Sequence, residues 1–287
     1  MTGQTFIYCV GAAKAGTSWL FDVLFHHAEA HFPAVKEMHY WDVLENGTGG
    51  FFREQSLKRL DWLQMRRAQV TDPEVNAYQD RSMADIRGWL DAFDGQTRND
   101  DAYLDFLGRG RGGAKVIGDF TPSYALLEKP SFKAMAGVME RVKFIFLLRD
   151  PVARAWSHIR MDNGDKGEAA ALAKFDDFLN GGEQNIARRN NYRRTLNKLL
   201  DVIPRENLFV EFYERLFTPE AVARLMGFLG LAPVQPDFAK QVNRSAEIAL
   251  DPARQAAARD LLAPQYNFVS KFMGELPPAW TDRQVVA

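Results

Sequence analysis

The sequence predicts an α/β fold with a central, mostly parallel sheet flanked by helices on both faces. Three observations carry that expectation. First, TFIYCV (Thr5 to Val10), KVIGDF (Lys115 to Phe120), RVKFIFLLRD (Arg141 to Asp150) and NLFVEF (Asn207 to Phe212) are short runs, largely apolar along their length. Such runs read as strands buried on both faces. Second, helical patterns separate them, which is how parallel strands are connected. Third, the first run passes through a glycine turn straight into an amphipathic helix.

Composition agrees with a globular chain: 287 residues, 46% hydrophobic and 25% charged. No Pro/Ser-rich linker or internal repeat interrupts it, so one domain spanning residues 1–287 is expected, with a helical and loop insert at about 47–107. The formal net charge is −1, which excludes a general electrostatic pull toward nucleic acid or membrane. Any basic site must therefore be local. The single cysteine, Cys9, lies inside an apolar run and reads as a buried thiol, with no disulfide framework. No stretch approaches the ~20 apolar residues of a membrane span, and no signal peptide is visible, so the expectation is a cytoplasmic protein.

Along the chain, the strand at Thr5 leads through GAAKAGTS into a helix with Trp19, Leu20, Val23 and Leu24 on one face, ending near Ala28. A short extended piece follows around His31 to Phe32, then KEMHYWD (Lys36 to Asp42) and the loop ENGTGG. Residues 51–107 are charged and helical in pattern, broken at Pro73 and Gly95. RGRGG (Arg109 to Gly113) reads as a loop, and KVIGDF runs into TPSY. After RVKFIFLLRD, Asp150 caps a helix with Pro151 at its first position. Val152, Ala155, Trp156 and Ile159 give that helix its core face, while Arg154, Ser157 and His158 occupy the other. One long helix is expected over Asn185 to Val202, with the stripe Tyr192, Leu196, Leu199 and Leu200. NLFVEF is the last strand, followed by helices to the end.

GAAKAGTS, Gly11 to Ser18, nearly spells G-x-x-x-x-G-K-[ST], and a P-loop-like fold follows from its strand–turn–helix setting. Gly11, Gly16 and Ser18 fall on the template, but Thr17 sits where the lysine belongs and the lysine is Lys14. A strand, a glycine turn and a helix start make an anion site, because backbone N–H groups and the helix dipole favour negative charge there. In triphosphate enzymes the lysine reaches the β and γ phosphates and the Ser/Thr holds Mg²⁺. A mid-loop lysine reaches over a bound phosphate toward its outer oxygen. That suits a cofactor with one 5′-phosphate bearing a transferable group.

GAAKAGTSWL resembles the 5′-phosphosulfate loop of sulfotransferases that use 3′-phosphoadenosine 5′-phosphosulfate (PAPS), and FIFLLRDPVARAWSHIRM resembles their 3′-phosphate motif. KEMHYWD resembles the K-E-x-H-F-F-D segment of heparan-sulfate-type and related bacterial sulfotransferases. GDFTPSY resembles their G-E-K-[ST]-P-x-Y, with Asp119, Thr121, Pro122, Ser123 and Tyr124 matching in kind and Phe120 standing in place of the family's lysine. NYRRTLNKLLDVIPRENLFVEFYERL and MGFLGL resemble the family's later helix–strand–helix region.

The resemblance implies site roles. Gly11, Ala13, Lys14, Ala15, Gly16, Thr17 and Ser18 hold the 5′-phosphate, and Arg149 and Ser157 grip the adenosine 3′-phosphate. Lys14, Glu37 and His39 are the catalytic candidates, with Glu37 as general base. Lys36 could contact phosphate or acceptor, or be solvated. Phe120 argues against a close heparan-type acceptor and leaves Lys14 as the main cation at the reacting group. The family's C-terminal K-G loop has no clear counterpart, and the stretch around Asn243 to Ser245 is the candidate substitute. No metal is expected: His27 and His31 have i, i+4 spacing, but the expected helix end and Pro33 spoil it. The expected activity is sulfonate transfer from PAPS, leaving adenosine 3′,5′-bisphosphate, to a hydroxyl or less favourably an amine of a small-molecule or carbohydrate acceptor. The alternatives are a P-loop small-molecule kinase and a non-catalytic nucleotide-binding protein.

Overall fold

The computed structural model describes residues 3–108, 112–240 and 248–281. The start of RGRGG and the stretch from Asn243 to Ser245 lie outside these residues. β1 (Thr5–Gly11) turns into α1 (Thr17–Phe25), followed by a two-residue β2 (Ala30–His31) and α2 (Tyr40–Asn46). The insert is three helices, α3 (Gly49–Arg67), α4 (Pro73–Ala92) and α5 (Asp100–Gly108), with breaks where Pro73 and Gly95 foretell them. β3 (Val116–Phe120), a 3-10 turn over Pro122–Leu126 and α6 (Lys129–Ala136) lead to β4 (Val142–Leu148) and α7 (Pro151–Asn163). Next come α8 (Glu168–Leu179), α9 (Gln184–Arg189), α10 (Tyr192–Leu200) and β5 (Leu208–Phe212). Four helices complete the described chain: α11 (Tyr213–Leu216), α12 (Pro219–Leu229), α13 (Pro252–Met273) and α14 (Pro278–Thr281). No helix among the described residues is long and apolar enough to cross a membrane.

The five strands form one sheet in the order β2-β3-β1-β4-β5, and every pairing is parallel. β1 lies in the middle and is buried along its whole length. Its neighbour β4 contributes Phe144, Ile145, Phe146, Leu147 and Leu148, all fully buried. At about 1.5–3 kcal/mol per large apolar side chain, that run alone fixes β4 at the centre of the sheet. The carboxyl ends of β1, β3 and β4 therefore meet at one edge, where ligands bind in open α/β sheets.

Two expectations are corrected. The long helix over 185–202 is two helices, α9 and α10, with Asn190 and Asn191 between them. The Asn191 side chain accepts from the Arg194 amide at 3.0 Å and so begins a new helix. The outer face of α7 is not open either: every residue from Pro151 to Arg160 is buried. Arg154 is fully buried and donates to the Ile186 carbonyl at 3.0 Å and to Asn190, so its guanidinium ties α7 to the end of α9.

The tightest backbone approach in the sheet is at Gly118, where an added Cβ would lie 2.1 Å from the Ile7 carbonyl oxygen. Gly118→Ala is expected to destabilise the fold by about 3 kcal/mol, the upper end for overpacking. The fall in urea midpoint measures it, and a change below about 1 kcal/mol contradicts the packing of β3 on β1 described here.

Candidate active site

The loop from Ala12 to Gly16 leaves β1 and closes on itself through the Ala15 amide, which donates to the Ala12 carbonyl at 3.2 Å. Gly16 precedes α1 with φ 87°, and an added Cβ there would meet Leu216 Cδ2 at 2.9 Å. Only glycine combines that conformation with that space. Among the described residues the amides of Ala13, Lys14, Gly16 and Thr17 find no acceptor. They lie just before and at the start of α1, where unpartnered amides can take an anion.

Arg149, one residue past β4, donates from Nη1 to the Lys14 carbonyl at 3.0 Å, with its guanidinium over the Tyr213 ring at 4.6 Å. The end of β4 is thereby fastened to the middle of the loop. Tyr192 holds the Arg149 backbone, its hydroxyl donating to the carbonyl at 2.8 Å. Ser157 is buried on α7, one turn before Met161, and Lys14 Nζ lies 3.4 Å from Met161 Sδ. Residues four apart share a helix face, so Ser157 faces the loop side of α7. Burial first, and the Arg149 charge second, lower the Lys14 pKa. Asp150 is occupied as expected for a cap: it accepts from the Ala153 amide at 2.8 Å and from the Tyr266 hydroxyl at 2.7 Å. It is therefore not free to hold Mg²⁺ as a triphosphate enzyme would require.

KEMHYWD is clamped from below. The Glu37 amide donates to the Phe120 carbonyl at 3.0 Å, and Trp89 Nε1 donates to the Met38 carbonyl at 3.0 Å. Buried Asp119 accepts from Tyr103, Thr121 and Tyr124, and Tyr124 in turn accepts from the Tyr40 amide at 3.0 Å. Burial raises the Asp119 pKa, and those three hydroxyls oppose the rise. This network holds Glu37 and His39 in left-handed backbone, at φ 66° and 55°. Lys14, at 69°, is the third such residue, and no other non-glycine residue among those described has positive φ. A left-handed L-residue costs on the order of 1–3 kcal/mol and persists only where its surroundings impose it.

The polar groups of the segment converge. His39 Nδ1 lies 2.8 Å from Asp42 Oδ2 and 3.3 Å from Ser123 Oγ, and His39 Nε2 lies 3.7 Å from Glu37 Oε2. Burial disfavours the imidazolium, but the two carboxylates outweigh it and raise the His39 pKa to about 10. Burial also disfavours the Glu37 carboxylate, yet His39 and Lys36 together leave its pKa below the ordinary value. The pair is a held carboxylate beside a locked imidazolium.

Lys36 is the residue that sequence reasoning left open. Its ammonium donates to Ser18 Oγ at 2.9 Å and to Thr17 Oγ1 at 3.4 Å, and lies 3.9 Å from Glu37 Oε1. It bridges the start of α1 and Glu37, an arrangement that its place next to Glu37 in sequence hints at but cannot specify. Phe120, where the family's lysine would stand, is buried against Phe21 and Phe32 with ring centroids 5.4 Å away. Asp42 was also missed as a partner, although His39 and Asp42 have the i, i+3 spacing of one helix face. Cys9 is buried, and burial raises its pKa to about 12, so it stays a thiol.

Comparison with known proteins bears on this geometry. Residues 7–236 match the profile described as the Sulfotransferase family. Among solved structures, a sulfotransferase from Alicyclobacillus acidocaldarius aligns with a TM-score of 0.65 at 20% identity, over 97% of this chain and 99% of that one. The sulfotransferase domain of the Synechococcus PCC 7002 olefin synthase aligns with a TM-score of 0.52 at 18% identity, over 96% and 98%. The sulfotransferase domain from the curacin biosynthetic pathway aligns with a TM-score of 0.55 at 16% identity, over 96% and 99%. At these identities the likeness is one of fold. A comparison with curated proteins gives no match. With the family profile spanning most of the sequence and the all-parallel sheet carrying the loop at its centre, the chain belongs to the sulfotransferase family, whose members are PAPS-dependent transferases.

Proposed function

We propose that this protein transfers the sulfonate of PAPS in line to a hydroxyl of an acceptor, with Glu37 as base and Lys14 as the cation at the leaving oxygen. The observation that carries the reading is the coincidence of strain with chemistry: among the described residues, the non-glycine residues in left-handed backbone are Lys14, Glu37 and His39. Bound PAPS supplies the sulfonate and a good leaving group. The loop amides and the hydroxyls of Thr17 and Ser18 take the 5′-phosphate. Glu37 accepts the proton of the acceptor hydroxyl as its oxygen attacks sulfur. Lys14 balances the charge that grows on the oxygen joining sulfur to the 5′-phosphate as that S–O bond breaks.

Lys36 is a second cation at the same place. Its contacts with Ser18 and Glu37 put one positive charge between the leaving phosphate and the base. It compensates for the family lysine that Phe120 replaces. Charged His39 is unsuited to take the proton, and its role is to aim Glu37 and hold Asp42. Arg149 and Ser157 select for the 3′-phosphate, the guanidinium through charge-assisted hydrogen bonds.

Isothermal titration calorimetry separates this reading from a kinase. Adenosine 3′,5′-bisphosphate is expected to bind tightly without Mg²⁺, and ADP at least ~100-fold more weakly, a difference of about 2.7 kcal/mol. Arg149→Ala is expected to cost the bisphosphate about 10–100-fold through the loss of a charge-assisted bond. Equal binding of ADP, or a requirement for Mg²⁺, overturns the donor assignment.

Transfer of labelled sulfonate from PAPS then tests the roles. Lys14→Ala is expected to lower kcat by about 10²–10³, and Glu37→Gln by about 10²–10⁴. If both variants turn over at near the wild-type rate, the assignments fail.

The state of His39 is open to NMR. Because its folded pKa lies above the unfolded value of 6.5, its contribution to stability is complete below about pH 6.5 and is lost as the pH rises through about 10. Its ring is expected to remain an imidazolium at pH 8.5. A midpoint near 6.5 contradicts the His39 pairing with Asp42 and Glu37.

A further inference from the structure

The exposed apolar side chains of this protein are gathered in one place. Among the described residues, the large exposed ones on α3 and α4 are Phe51, Leu57, Trp62, Met65, Val75 and Tyr78, and only Met161 and Leu261 lie elsewhere. α3 has two apolar sides. Leu60 and Leu63 are buried and face the core. On the opposite side Phe51, Gln55, Lys58, Trp62 and Met65 recur at i, i+4, i+7, i+11 and i+14, the spacing of a single helix face. Phe51 is 64% exposed, Trp62 48% and Met65 61%. An amphipathic helix seated on its own core needs no such second stripe, and a clustered apolar surface of this kind marks an interaction site.

The same helix is basic. It carries Arg53, Lys58, Arg59, Arg66 and Arg67 against Glu54 and Asp61, an excess of three positive charges in a chain whose formal net charge is −1. On the outward face the two characters are interleaved: Lys58 stands between Phe51 and Trp62, and the Arg66 guanidinium lies over the Trp62 ring at 5.1 Å from its centroid. Basic residues alternating with exposed aromatics on one helix face match the charged headgroups and apolar boundary of an anionic bilayer surface. The face is also the back of a helix rather than a groove. A protein partner would need a cleft cut to these side chains, whereas a bilayer interface moulds itself to them.

We infer that the outward face of α3 docks on an anionic lipid surface, with Phe51, Trp62 and Met65 entering the headgroup boundary and Lys58 and Arg66 on the lipid phosphates. The helix lies parallel to the membrane plane and does not span it. α3 also borders the candidate site, since the Phe52 ring centroid is 6.1 Å from that of His39. Docking therefore brings the segment of Glu37 and His39 to the side of the lipid surface.

The test sediments the intact protein with large unilamellar vesicles, either phosphatidylcholine alone or phosphatidylcholine and phosphatidylglycerol in equal amounts. Partitioning onto the anionic vesicles is expected to exceed that onto the neutral ones by at least ~10-fold, and to weaken several-fold as NaCl rises from about 0.05 M to about 0.5 M. Phe51→Ser/Trp62→Ser/Met65→Ser is expected to lose at least ~10-fold of the partitioning, and Lys58→Gln/Arg66→Gln about 10-fold. Because these side chains face away from the core, the urea midpoints of both variants are expected to stay at the wild-type value.

No preference for anionic vesicles, or unchanged partitioning of the folded triple variant, overturns the inference. A dimer in sedimentation velocity that the triple variant dissociates, without vesicle binding, overturns it too and assigns the face to a second copy of the chain. Binding to poly-glutamate as tight as to the anionic vesicles, and indifferent to Phe51, Trp62 and Met65, overturns it in favour of an acidic protein.

Discussion

One hydrogen bond across 135 residues of sequence organises the site: Arg149 Nη1 to the Lys14 carbonyl. It joins the end of β4 to the middle of the loop that leaves β1, and it is available only because those strands are parallel neighbours at the centre of the sheet. From β1 the chain moves to one side for β2 and β3 and to the other for β4 and β5. The crevice at that division is where such sheets bind ligands. By accepting from Arg149, the Lys14 carbonyl helps hold the loop in the shape that leaves four amides without internal partners.

The second half of the site is built on a buried carboxylate. Asp119 is stabilised by three hydroxyls, and one of them, that of Tyr124, reaches the Tyr40 amide. A satisfied buried network of this kind is rigid, because each member would be costly to leave unpaired. That rigidity sustains two left-handed residues in a three-residue stretch. The strain is offset by the core beneath: Tyr40 stacks on Tyr103 with centroids 4.3 Å apart, and Trp41 donates to the Tyr8 hydroxyl at 3.1 Å. Lys36 then connects the two halves, touching the loop hydroxyls at one side and Glu37 at the other.

Much of this was legible in the sequence, and the reason is physical. Continuously apolar strands such as RVKFIFLLRD can be buried only in a covered parallel sheet, and GAAKAGTS between strand and helix has few other uses. The breaks at Pro73 and Gly95 were visible because those residues act on their own backbone. What stayed hidden depends on contacts distant in sequence. The start of α10 is the exception: its signal, the Asn191 cap, is local but is masked by the helical pattern on both sides of it in ARRNNYRRT. The burial of Arg154 depends on α9 packing over α7, which a helical wheel of α7 alone cannot reveal. Phe120 could be read as a missing lysine, but the contact of Lys36 with the loop required the fold to bring residues 18 and 36 within 2.9 Å.

The central claim is that a mid-loop lysine and a strand-end arginine together form a site for a nucleotide with one 5′-phosphate and a 3′-phosphate. A crystal structure of the complex with adenosine 3′,5′-bisphosphate tests it most directly. The account predicts the 5′-phosphate on the amides before α1, the Lys14 ammonium moved from Met161 to a phosphate oxygen, and the Arg149 guanidinium and Ser157 hydroxyl on the 3′-phosphate. A nucleotide bound with Lys14 turned away and Arg149 remote from the ribose would contradict it.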